Sequence, residues 1–73
     1  MEYDDEIRKF SALSHPGRLA VFRLIVRHAP QAVRPGEMAE ALGIKPNTLS
    51  VYLGALNEAG LVSAERRGTA IHY

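Results

Sequence analysis

No cysteine occurs in the sequence, which excludes a disulfide scaffold, a thiolate zinc cluster, a thiol nucleophile and a cysteine redox switch. Long apolar runs are also missing. Stretches such as Leu24-Ile25-Val26 fall far short of the roughly 20 residues that a membrane-crossing helix needs. The first six residues, Met1-Glu2-Tyr3-Asp4-Asp5-Glu6, are acidic and have no apolar centre, so they make no signal or transit peptide. There is no Gly-rich phosphate loop, no HExxH and no carboxylate pair in an apolar setting, so an enzyme is the disfavoured class. Internal repeats and low-complexity tracts are absent too. What remains is an expectation of a cytoplasmic, non-enzymatic domain without cofactor.

The chain has 73 residues, 47% of them hydrophobic and 23% charged. That is one domain, near the lower size limit for a self-sufficient core and too apolar for a disordered tail. The net charge of +1 hides an asymmetry: Glu2, Asp4, Asp5 and Glu6 crowd the start, while residues 7–73 carry nine bases against four acids, a formal +5. A modest positive field favours a polyanionic partner without identifying one.

Apolar spacing predicts four helices. Ile7, Phe10 and Leu13 recur every three residues over about Asp4–Leu13, with acids in the first turn, where they suit the positive end of the helix dipole. They read most simply as core, although an exposed part of the stripe would pair with a second copy. Pro16 restarts the chain, and a second helix to about His28 is expected to bury Leu19, Phe22, Ile25 and Val26, widened by Val21 and Leu24, with Arg18, Arg23 and Arg27 in solvent. Pro35–Leu42 is the third helix, burying Met38, Ala41 and Leu42, with Ala39 small enough for close contact and Gly43 placed as a left-handed terminator. Pro46 starts the fourth, which Gly60 stops after about Ala59. Its Leu49, Leu53 and Leu56 face inward, leaving Asn47, Ser50, Val51, Gly54 and Asn57 on other faces. Leu61–Glu65 reads as a short strand, Arg66-Arg67-Gly68-Thr69 as a tight turn, and Ala70–Tyr73 as the returning strand.

The third and fourth helices have the spacing of a helix-turn-helix, with Gly43 in the turn and Ile44 packed beneath it. The expected fold is mainly α with a small β-hairpin: four helices plus a two-stranded wing.

Those blocks resemble a known family. Ala12-Leu13-Ser14-His15-Pro16-Gly17-Arg18-Leu19 is similar to the opening of ArsR-like (arsenical-resistance-repressor-like) winged helix-turn-helix regulators. Glu37–Ile44 resembles the first helix of their motif, Asn47–Leu53 with Leu56–Val62 their recognition helix and its exit, and Arg66–Tyr73 their wing. The resemblance spans about residues 10–73 and implies a dimeric DNA-binding repressor. It also has departures. The family's metal-sensing thiolate pair would fall at Arg34 and Gly36, neither of which is a soft ligand, so arsenite or cadmium sensing through that site is excluded. Val51-Tyr52 stands where Arg-His is frequent, and Lys45 replaces a capping Ser. Members normally continue into a further helix that completes a dimer interface. The expectation here is therefore a single domain over residues 1–73, a wing that runs on past Tyr73, and no C-terminal dimerisation helix.

Asn47, Thr48, Ser50, Val51 and Tyr52 are the candidate base contacts: Asn bonds two atoms on the major-groove edge of adenine, Thr and Ser reach bases or phosphates, and Val covers a thymine methyl. Lys45, Arg66 and Arg67, and more weakly Arg18, are candidate backbone contacts, with Arg66-Arg67 able to enter a minor groove instead. His15, His28 and His72 lie far apart and lack partners at ligand spacing, so no metal site is expected. A single short helix reads a half-site weakly, which favours a homodimer on double-stranded DNA, with Ile7, Phe10 and Leu13 at the interface. The alternative is a winged-helix interaction module that docks a protein through Val51, Tyr52 and Gly54. No feature of the sequence encodes an inducing ligand.

Overall fold

Three of the four helices begin at a proline, and the residue before each proline is held in extended backbone. Steric clash with the pyrrolidine ring keeps that residue out of the helical region, so helix cannot start earlier. His15 (φ −117°, ψ 124°), Arg34 (φ −80°, ψ 140°) and Lys45 (φ −69°, ψ 145°) all obey this rule. The computed structural model describes residues 4–67 and 70–73; the side chains of 66, 67, 70 and 71 lie outside it. The helices are α1 (Asp4–Leu13), α2 (Pro16–His28), α3 (Pro35–Leu42) and α4 (Pro46–Glu58), close to the ranges read from the sequence.

The two helices of the motif end in the same way. At α3, Gly43 takes φ 64°, its N–H donates to the Glu40 carbonyl, and the Ile44 N–H reaches back to the Ala39 carbonyl. At α4, Gly60 takes φ 77°, its N–H donates to Asn57, and the Leu61 N–H donates to Leu56. This pair of back-bonds is the Schellman arrangement, and it turns the following apolar residue onto the helix it has just left. Ile44 and Leu61 accordingly pack against the core.

All four helices meet around one cluster: Ala12, Val21, Val33, Met38, Ala39, Leu49, Leu53 and Leu56. Packed against α1, α2 and α3 alike, α4 supplies three of these eight side chains. Strands β1 (Glu65–Arg67) and β2 (Ala70–His72) pair antiparallel, Glu65 opposite His72 and Arg67 opposite Ala70. The chain end is tied back to the body: Val33 and Tyr73 exchange two backbone hydrogen bonds of 2.6 and 2.8 Å.

Several inward and outward assignments differ from the sequence reading. Ile7 and Phe10 are not core but 62% and 74% exposed, because α1 buries only its last turn, through Ala12, while Leu13 packs on the cluster. On α2 the buried centre is Val21, and Val26 is 54% exposed. Arg18 is half-buried rather than in solvent, and on α3 Ala39 is buried while Ala41 is exposed. Residues 61–64 form no strand, since the Leu61 N–H closes α4. Of the tight turn expected over Arg66-Arg67-Gly68-Thr69, the first two residues belong instead to β1, paired with β2, and residues 68 and 69 lie outside the described part.

Truncating the most enclosed leucine tests the core. Leu56 is fully buried, so Leu56→Ala should cost about 2–5 kcal/mol, read as a large fall in melting temperature by circular dichroism.

Candidate nucleic-acid interface

Helical geometry turns a buried leucine row into an exposed polar face. Leu49, Leu53 and Leu56 lie four and three residues apart and are buried, so at about 100° per residue the opposite side carries Asn47, Val51 and Gly54. All three are exposed, Ser50 beside them is exposed, and Val51 reaches 68%. Thr48 is half-buried at the edge of this face. Donors, acceptors and one branched apolar surface thus stand together on the first two turns of α4.

The N-terminus of α4 carries no acid in its first turn and no side-chain cap. Lys45, exposed and immediately before the helix, adds its charge to the positive end of the dipole. Both features attract anions to the same end of the helix as Asn47.

Tyr52 is placed differently from its neighbours. It is half-buried and packs on the core cluster, its ring 5.1 Å from that of His15 at a 55° tilt. A Cβ at Gly17 would lie 2.6–2.7 Å from the Tyr52 ring and hydroxyl. The absence of a side chain at 17 therefore lets α4 approach the first turn of α2. Tyr52 was expected among the base contacts, yet its ring lies over the start of α2, because α4 crosses that helix there.

Beneath Tyr52, His15 has a structural task. Its Nδ1 accepts the Gly17 N–H at 3.0 Å and the Arg18 N–H at 3.4 Å, capping α2 as a short polar side chain would. The sequence held no clear signal for this pair, since Gly36 stands equally in a first helical turn and has open space around it.

Arg18 is also diverted. Its Nε donates to the Ala12 carbonyl at 2.7 Å and its Nη2 to the Ser11 carbonyl at 3.4 Å, satisfying the end of α1. Arg18, expected to be a weaker contact to the DNA backbone, thus has its guanidinium held at the end of α1. Arg34 sits in an exposed ion pair with Glu37 at 2.9 Å, of the kind worth under about 1 kcal/mol. Strand β1 carries Arg66 and Arg67, whose side chains lie outside the described part. The histidines are dispersed: His28 Nδ1 lies 2.9 Å from the Leu24 carbonyl, and His72 Nδ1 is buried without a hydrogen-bond partner. Among the described residues no three His, Cys, Asp or Glu side chains gather as a metal site, and no helix is long and apolar enough to cross a membrane.

A small helical body presenting the second helix of a tight helix-turn-helix is the architecture of DNA-reading domains. A helix-turn-helix domain family matches residues 13–63, and the chain belongs to that family. It is 35% identical over 65 residues to an uncharacterized HTH-type transcriptional regulator of Mycobacterium tuberculosis, covering 88% of this chain and 54% of the relative. It is 36% identical over 70 residues to the probable mercury resistance operon repressor of Streptomyces lividans, covering 96% and 54%. The chain thus spans about half the length of these curated relatives. Among solved structures, the transcriptional repressor BigR from Xylella fastidiosa superposes with a TM-score of 0.82 at 33% identity, covering 99% of this chain and 71% of that one.

The close approach at Gly17 is directly testable. Gly17→Ala should destabilise the fold by about 1–3 kcal/mol through overpacking, and the loss should shrink in the Tyr52→Ala background. A thermal-melt double-mutant cycle measures that coupling.

Proposed function

We propose that the protein is a DNA-binding transcriptional regulator, a winged-helix repressor of the ArsR-like type that acts as a homodimer in the cytoplasm. The observation that carries this reading is the split character of α4, whose leucines are buried while Asn47, Ser50 and Val51 stand free on its leading turns. In the major groove this end meets base edges: Asn47 toward adenine, Ser50 and Thr48 toward bases or phosphate, and Val51 toward a thymine methyl. Lys45 lies where a phosphate would flank the helix.

The β1–β2 ladder serves as the wing, bringing Arg66 and Arg67 to the backbone or the adjacent minor groove. The repressor names of two similar proteins support the direction of regulation. Repression follows when the bound protein blocks polymerase access. Exposure of Ile7 and Phe10 supports a second copy against α1, since large apolar side chains in water gain about 25 cal/mol per Å² when covered. Leu13, packed inward, supports α1 from behind rather than forming that surface.

Selection of bound duplexes from a random pool should return an inverted repeat whose half-sites lie about one helical turn apart. Asn47→Ala should relax preference at one base pair by about 1–3 kcal/mol. Replacing Arg66 and Arg67 with Ala should flatten the salt dependence by about one unit of slope per lost contact, without changing the selected sequence. No binding to any duplex at low salt refutes the reading, and leaves α4's exposed Val51 and Gly54 as a surface for a protein partner. Dimerisation has its own measurement: Phe10→Asp should shift sedimentation from dimer to monomer while the circular dichroism spectrum stays helical.

A further inference from the structure

We propose that a second copy of this chain docks by mutual exchange: the α1 stripe of each copy, Ile7 and Phe10, seats in the recess that the other forms between the end of α2, the exit of α4 and Tyr73. The inference rests on the homodimer reading above and names the surface that receives α1.

The stripe alone is too small to hold two copies together. An aromatic side chain buries about 150–250 Å², so even two side chains of that size fall short of the roughly 800 Å² that each partner of a stable interface gives up. The other exposed residues of α1 are charged or polar, so α1 against α1 adds little apolar surface. The same molecule carries more. Phe22, Ile25, Val26, Leu61, Val62 and Tyr73 line a recess of about 400 Å³. Among the described residues, the large apolar side chains exposed to water are Ile7, Phe10, Val26 and Val51. Val51 belongs to the face proposed for DNA, and the other three divide between a projecting stripe and a recess wall.

Stripe and recess lie side by side. Gly60 borders the recess, and the end of the Lys9 side chain, from the residue before Phe10, lies 4.0 Å from where a Cβ at Gly60 would stand. A two-fold axis between adjacent, complementary patches brings the first patch of one copy onto the second of the other, and the reverse. Such an exchange closes at two copies. The charges fix its direction. Asp5 and Glu6 precede Ile7 in the first turn of α1, whereas the last turn of α2, beside the recess, carries Arg27 and His28. With Ile7 toward the end of α2, acids of one copy face Arg27 of the other. Turned end for end, α1 would bring Lys9 toward Arg27 instead. Rim charges of this kind set register and orientation more than strength.

The test uses the full chain. Phe10→Asp and Val26→Asp are each followed by sedimentation, with circular dichroism to show that both stay helical. Each substitution occurs twice in a symmetric pair, so each is expected to raise the dissociation constant about a hundredfold, tenfold per contact. Mixed, the two variants should regain about tenfold in association, because the intact α1 of Val26→Asp meets the intact recess of Phe10→Asp. Cross-linking gives a second readout that needs neither variant. The chain has no cysteine, so Glu6→Cys and Arg27→Cys each introduce a single thiol. A short bismaleimide should join these two proteins when they are mixed, and neither to itself. A Val26→Asp protein as dimeric as the parent, or Glu6→Cys joined to itself, overturns this inference alone and leaves the recess to an occupant other than α1. A parent that stays monomeric at every concentration overturns the homodimer reading and this inference with it.

Discussion

The burial of Leu49, Leu53 and Leu56 is the interaction on which the rest depends, because one helix supplies both the middle of the core and the exposed polar face proposed for DNA. In so short a chain there is too little apolar material to reserve a helix for either task. The helical repeat resolves the conflict. Hiding three leucines along one stripe forces the intervening polar residues outward, so stability and presentation come from a single packing event. Loosening the core would therefore disturb the exposed face of α4 as well.

Proline and glycine set the frame for that event. Extended residues before Pro16, Pro35 and Pro46 start three helices, and left-handed glycines at 43 and 60 end both helices of the motif. These are local rules, acting over two or three residues, and for that reason the helix ranges were legible in the sequence. Long-range decisions were not. Apolar residues on α2 run almost all round, from Leu19 to Val26, so which of them faces inward depends on where α4 crosses, and Val21 took the place expected of Val26. On α1 the threefold spacing marked a real stripe, but only its final turn meets the body. Ile7 and Phe10, further out on the stripe, stay exposed.

The candidate site divides along the same line. Asn47, Ser50 and Val51 were legible because the leucine row alone dictates their direction. The surroundings of Tyr52 and Arg18 were not, since each packs on a neighbouring helix: Tyr52 on the start of α2, Arg18 on the carbonyl end of α1. His15 looked like an incidental residue in a break and is instead the cap that organises one. Side chains that fill gaps between elements cannot be assigned from periodicity, because periodicity describes one element at a time.

The paired hydrogen bonds between Val33 and Tyr73 carry a mechanical consequence. They rivet the root of the two-stranded arm to the segment that launches α3, so the arm cannot hinge independently of the motif. The end of β2 and the chain entering α3 therefore share one anchor, so a displacement of either is passed to the other.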